Sequence, residues 1–180
     1  MTRPVIPADP FKIQVPDHEI ADLKHRLEQT RLPNEPDGND HWEYGTSLSY
    51  MERLISYWRD DFDWRAQEAW LNSFPQYKVS LTDDTDQDHE IHFVYEKGSG
   101  ENPIPLIMTH GWPSTFREFL DVVDRLAHPE NYGRSGPAFD VIVPSLIGFG
   151  FSSLPRQPTG PAVMAARWPQ LQPDLLGSAT

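Results

Sequence analysis

The chain has 180 residues with no cysteine, 18 prolines, 11 glycines and 38% hydrophobic residues, so a disulfide scaffold is excluded. Nine Phe, six Trp and six Tyr supply more aromatic surface than a disordered chain carries, and 15 basic against 27 acidic side chains, a net charge of −12, argue against nucleic acid or an anionic lipid surface as the main partner. With no run of 18 apolar residues for a membrane segment and no basic, apolar leader, the expectation is a soluble, cytoplasmic chain with one domain as the prior.

The first ten residues are Pro-rich and read as extended. Ile20, Leu23 and Leu27 fall at i, i+3 and i+7, which predicts a helix with Asp17 as its cap and Leu32-Pro33 as its end. Asn34 to Tyr44 is turn chemistry, a loop that nevertheless carries the large aromatics Trp42 and Tyr44. A second helix is predicted from Thr46 to Arg59, with Leu48, Met51, Leu54, Ile55 and Trp58 on one side, and a third from Asp63 to Ser73. Trp58, Phe62, Trp64 and Trp70 read as core or interface residues.

The texture changes near Pro75. Tyr77 to Leu81 alternates, and Ile91, Phe93 and Tyr95 alternate again after an acidic turn, so two strands joined by a loop are predicted. Ile104 to Met108 is nearly unbroken apolar, the pattern of a strand covered on both faces, and Phe139 to Val143 is another short apolar strand. Between them Ser114 to Leu126 reads as a helix with Phe116, Phe119, Leu120, Val123 and Leu126 on its core side. Strand, helix, strand in that order predicts the start of a parallel, doubly wound α/β sheet. Pro144 to Leu154 is a glycine-bearing loop, and Ala162 to Trp168 begins a helix that Pro169 and Pro173 cut short.

Several motifs fail on inspection. His89 and His92 with Asp86, Asp88 and Glu90 suggest a metal site, but in a strand i and i+3 point to opposite faces, so an exposed acidic hairpin tip is expected. Asp84, Asp86 and Asp88 mimic a calcium loop, yet His89 replaces the required glycine and Tyr95 the closing glutamate. Gly148 to Ser153 lacks the third glycine of a dinucleotide loop, and Leu154 stands where a nucleophile elbow around Ser152 needs a small residue. Ser178 and Asp174 lack that frame too. No catalytic nucleophile is evident from these motifs, and neither a metal site nor a dinucleotide loop is expected at them.

His110-Gly111-Trp112-Pro113 follows a predicted strand and precedes a helix, the place where ligands bind in open α/β sheets. Gly111 lets the backbone turn without a Cβ and Pro113 withholds a donor, so the Trp112 amide can point into a pocket as an oxyanion donor. The motif taken alone fits a tight turn with Trp112 as a core plug equally well.

The order Trp42-Glu43-Tyr44-Gly45-Thr46, Tyr57 to Arg65, Leu71 to Pro75, Ile91-His92-Phe93 and His110-Gly111-Trp112-Pro113-Ser114 resembles the N-terminal region of microsomal-type epoxide hydrolases, which include the juvenile-hormone epoxide hydrolases. The resemblance runs from about Asp9 to Trp168 and continues through Phe139 to Leu146 and Gly148 to Ser152. It implies an N-terminal helical meander, residues 1–75, packed on the first strands and helices of an α/β-hydrolase core, residues 76–168, with 169–180 as a tail without family likeness. It also implies hydrolysis of a small-molecule epoxide to a vicinal diol through an aspartyl ester, with no cofactor.

In that family an elbow aspartate opens the epoxide, two tyrosines support its oxygen, and a histidine held by an acid activates water. Those elements would lie beyond Trp168, so the chain is expected to be catalytically incomplete, a truncated or frameshifted relative. The alternative is a noncatalytic binding or assembly module that complements a separate C-terminal half or self-associates. A related ester or haloalkane hydrolase shares the fold but explains the meander poorly. What carries over is the Trp112 backbone N–H as oxyanion donor, supported by His110, Gly111 and Pro113, with His110 in the loop rather than as base. The Trp112 indole, Trp42 and Tyr44 are the pocket candidates, although Trp42 and Tyr44 also suit packing of the meander on the core. Gly148 to Ser152 reads as structural.

Overall fold

In the computed structural model, which describes residues 8–37, 39, 42–82 and 88–171, the turn chemistry and apolar spacing of the first third become three helices. They are α1 (Asp17–Glu28), α2 (Leu48–Asp60) and α3 (Trp64–Leu71), and they lie in one compact unit, Ile13–Leu71. Asp17 does not cap α1. The residue before the first turn is Pro16, extended at φ −59° and ψ 144°, and Asp17 opens the helix as a first-turn acid paired with Arg65. True side-chain caps stand elsewhere: the Ser47 hydroxyl accepts from the Tyr50 amide at 3.4 Å, and the Asp63 carboxylate from the Ala66 amide at 3.0 Å.

The loop before α2 is held by two polar side chains. Glu35 Oε1 accepts from the Asn39 side chain at 2.6 Å and from the Leu48 amide at 2.8 Å, while Asn39 Oδ1 accepts from the Tyr44 amide at 2.8 Å. In α2 Leu48, Met51 and Ile55 are half-buried, and Leu54 and Trp58 are exposed, so no side chain of this helix is fully covered.

The remaining described residues form the second unit, built on a five-stranded sheet. Its strands are β1 (Asp9–Pro10), β2 (Gln76–Thr82), β3 (Asp88–Glu96), β4 (Ile104–Ile107) and β5 (Phe139–Pro144), in the spatial order β1-β2-β3-β5-β4. The sheet is mixed. β1, β2, β3 and β5 pair antiparallel in spatial order, whereas β4 runs parallel to β5, as the strand, helix, strand order of residues 104–143 predicts; the antiparallel strands before it make the sheet mixed. A short 3₁₀ turn, Phe116–Phe119, leads into α4 (Leu120–Ala127), and α5 (Pro161–Arg167) follows the loop after β5.

Val79, Leu81, Ile91, Phe93, Ile142, Ile147 and Leu171 fill one face of the sheet. On the α4 side Phe116, Leu120 and Val123 are buried with Val94, Val141 and Val143. β5 is therefore covered on both faces, as its sequence predicts. β4 is not, which overturns the matching expectation for Ile104 to Met108. Ile104 is 47% exposed, Pro105 is exposed, and Leu106, Ile107 and Met108 are half-buried, because β4 has a neighbour on one side only among the described residues. The Ile104 and Met108 amides donate to the Ala138 and Ile142 carbonyls, so by the two-residue period Pro105 and Ile107 face the free edge.

His89 and His92 are buried, at 3% and 0% exposure, where an exposed acidic tip was expected; only Asp88 and Glu90 match it. The strand alternation carries both imidazoles inward because β3 is covered on both faces. Asp84 and Asp86 lie outside the described residues. Among the described residues no cluster of three potential metal ligands occurs, and no helix is long and apolar enough to cross a membrane.

Candidate oxyanion loop and its cavity

The parallel pair β4 and β5 ends on the same side, and two loops leave that end together: His110 to Pro113 after β4, and Ser145 to Ser153 after β5. A crevice beyond the carboxyl ends of adjacent parallel strands is where an open α/β sheet accepts a ligand. Here it is a cavity of about 420 Å³, lined by Thr109, His110, Gly111 and Trp112 from the first loop, Leu146 and Phe149 from the second, and Met164, Ala165 and Trp168. Among the described residues its lining carries no carboxylate, lysine or arginine.

His110 is buried and fully engaged. Its Nε2 accepts the Leu146 amide hydrogen at 3.1 Å, which requires that nitrogen to be bare, so the ring proton sits on Nδ1, 3.2 Å from the Gly111 carbonyl. Phe149 packs against the ring at 5.6 Å. A lone pair already committed to a backbone amide is not free to take a proton from water, so the geometry gives His110 a structural place in the loop.

The Ser114 amide donates to the Gly111 carbonyl at 2.8 Å and closes the turn around Trp112 and Pro113, whose shared peptide is cis. Trp112 is 83% exposed, so it is no core plug. Its amide has no acceptor among the described residues. Gly111 departs from the sequence argument: its φ lies outside the left-handed region and a Cβ there would meet no atom within 4 Å. The open space beside the amide, rather than a demand of the turn, is what the missing side chain leaves.

The loop after β5 is tied to β3. The Ser145 amide donates to the His92 carbonyl at 2.8 Å, and the Glu90 and His92 amides donate to the Ser153 and Ser152 hydroxyls at 3.0 Å each, so the loop continues the pairing of β3 where β5 stops. Gly150 is needed in this fold: its φ is +53°, and a Cβ would stand 2.5 Å from Ser145 Oγ.

Beneath this loop lies a buried polar chain that sequence reasoning missed. His92 Nε2–H donates to Gln76 Oε1 at 2.9 Å and His92 Nδ1 accepts from the Ser145 hydroxyl at 2.9 Å, inside a box of Phe11, Phe116 and Phe151 rings. Burial, helped by the Lys78 charge, pushes the His92 pKa down to about 3. The unbroken apolar surroundings of His92 in Ile91-His92-Phe93-Val94 are the signal that it faces a core.

Trp42 and Tyr44 stand in the other unit. Both are exposed; Trp42 meets Tyr50 edge-on at 5.0 Å, and Tyr44 lines a separate cleft of about 250 Å³ with Pro33, Pro36, Leu48 and Met51. Of the expected core or interface aromatics, Phe62, Trp64 and Trp70 are half-buried and Trp58 is 44% exposed.

Residues 8–119 match the family described as Epoxide hydrolase N terminus. The chain is 39% identical over 163 residues to epoxide hydrolase 1 of Sus scrofa, covering 88% of this chain and 35% of that protein. Two solved structures are similar: an enantioselective mutant of the Aspergillus niger epoxide hydrolase generated by directed evolution (TM-score 0.80, 29% identity, 93% of this chain and 43% of that one), and the juvenile hormone epoxide hydrolase of the silkworm Bombyx mori (TM-score 0.79, 26% identity, 92% and 38%). The chain thus spans about a third of the length of the curated relatives it matches, and its mixed sheet and helices are part of an α/β-hydrolase core.

Proposed function

The chain belongs to the epoxide hydrolase N-terminus family, and from that premise we propose that it supplies the oxyanion loop and one apolar wall of a site that opens small-molecule epoxides to vicinal diols. The observation that supports this reading is the Trp112 amide, which has no acceptor among the described residues and belongs to an exposed residue that lines the cavity. During hydrolysis of an aspartyl ester this N–H would hold the developing oxyanion, and the apolar lining would exclude water from competing for it. Trp112, Phe149 and Trp168 would receive the hydrocarbon part of the epoxide. The attacking aspartate, the base and its acid are not assigned to any residue of this chain, no cofactor is called for, and the chain alone is inactive on this reading. Cell fractionation should place it in the cytoplasm.

The open edge of β4 favours a second reading, in which this chain is an assembly module whose free strand edge receives a separate C-terminal half of the same fold. The effect of Trp112→Pro on a complemented mixture separates them, since an assembly module without an oxyanion role would be insensitive to it. The purified chain is offered styrene oxide alone and mixed with a fragment supplying the rest of a family core. No diol from the chain alone, turnover in the mixture, and a loss of about 10²- to 10³-fold in the mixture on Trp112→Pro, which deletes the donor, are expected. Saturable diol formation by the chain alone that persists in Trp112→Pro overturns the role of the loop.

A further inference from the structure

The Ser145–Leu146 peptide is gripped at both of its polar ends. Its carbonyl accepts the Ser152 hydroxyl at 2.9 Å, and its N–H, the Leu146 amide, donates to His110 Nε2 at 3.1 Å. Ser152 is itself placed by the His92 amide, which donates to its hydroxyl at 3.0 Å. Ser145 is placed twice by the same residue, its amide donating to the His92 carbonyl at 2.8 Å and its hydroxyl to His92 Nδ1 at 2.9 Å. Gln76, on β2, completes the chain by fixing the proton on His92 Nε2. Every one of these polar groups is paired, as a buried network must be if it is not to weaken the core.

We propose that Gln76, His92, Ser145 and Ser152 form a positioning device for the His110–Trp112 loop, which acts by fixing the plane of the Ser145–Leu146 peptide and thereby the His110 tautomer. A fixed peptide plane aims the Leu146 N–H at His110 Nε2, the bare Nε2 leaves the Nδ1 proton directed at the Gly111 carbonyl, and that carbonyl also anchors the Ser114 amide that closes the turn around Trp112. The chain is continuous from β2 to the exposed turn. Burial keeps the His92 ring neutral, so Nδ1 remains an acceptor for Ser145. The consequence for catalysis rests on the oxyanion reading above; the positioning itself does not.

The test uses the full chain labelled with ¹⁵N. In the unmodified protein, His110 should show one tautomer, with Nε2 bare, and the Leu146 amide should exchange slowly. Ser152→Ala should mix the two His110 tautomers and speed Leu146 exchange by about tenfold, the loss expected for one buried hydrogen bond, and Ser152→Thr, which restores a hydroxyl, should recover both. Ser145→Ala should act in the same direction. Val79→Ala, which removes contacts from the opposite face of the sheet, should lower stability without moving either signal. A His110 ring with Nε2 protonated in the unmodified protein overturns the proposal, as does an unchanged His110 spectrum in folded Ser152→Ala or an equal change in Val79→Ala. None of these readouts involves turnover. The proposal can therefore fail while the supplemented chain still hydrolyses styrene oxide, or hold while it does not.

Discussion

β4 and β5 are written in nearly the same alphabet, Ile-Pro-Leu-Ile against Phe-Asp-Val-Ile-Val-Pro, and they lie side by side in parallel register. Val141, Ile142 and Val143 are completely buried, whereas Ile104 is 47% exposed. The difference is one of neighbours. β5 has a strand on each side and buried apolar residues over each face, while β4 has β5 alone among the described residues. An apolar run states how much surface a strand is able to hide, and the elements around it decide how much it does hide.

The sharpest way to break this comparison is to truncate both strands. Ile142→Ala should lower unfolding stability by about 2–5 kcal/mol, the range for a large side chain removed from a packed core, and Ile104→Ala by less than about 1 kcal/mol at its half-exposed edge. Equal shifts in urea midpoint would mean that β4 is covered in solution.

A second effect should appear on the inner side through His92, which is buried on β3, the antiparallel neighbour of β5. Its pKa is about 3 when folded and about 6.5 when unfolded, so between those values the unfolded chain binds the extra proton. Its contribution is complete above about pH 6.5 and falls by up to about 1.4 kcal/mol per pH unit as pH drops towards 3. Denaturation at about pH 7 and about pH 5 should show this slope, and His92→Gln should flatten it; an unchanged slope would detach the effect from His92.

The smallest effect on stability is expected at the outer edge. Ile104→Lys should change stability by less than about 1 kcal/mol yet reduce binding of a hydrophobic dye and any self-association, because a charge on an edge strand opposes pairing. Sedimentation and dye fluorescence of the two proteins measure this, and identical behaviour would place the sticky surface elsewhere.

Much of the fold is legible in the sequence because it is local. The three helices of the first unit, the β2 and β3 alternation and the 3₁₀ turn with α4 follow spacing that a single element satisfies by itself. Strand direction and strand coverage are not local: nothing within Ile104 to Met108 says that it will sit at an edge, and nothing within residues 76–96 says that β3 will pair antiparallel with β5. The start of α1 lies one residue earlier than the spacing predicts, because Pro16 and Asp17 both suit a helix start and Asp17 pairs instead with Arg65, far along the chain. For the site, the position of His110 to Pro113 after a strand is readable. The Leu146, Phe149, Met164 and Trp168 walls are not, since they come from a loop and helix that only the sheet order brings to that end.

Pro105 gives the free edge of β4 a further property. Along that edge its nitrogen occupies a donor position and has no hydrogen to offer. A strand that adds there forms a ladder with one rung absent. For a single partner this loss is incurred once and can be offset by burying Ile104 and Leu106. For an open-ended fibre of identical copies joined through this edge, it recurs at every junction. Each junction there buries the same side chains, so Pro105 would weaken every addition at this edge alike, through one missing hydrogen atom.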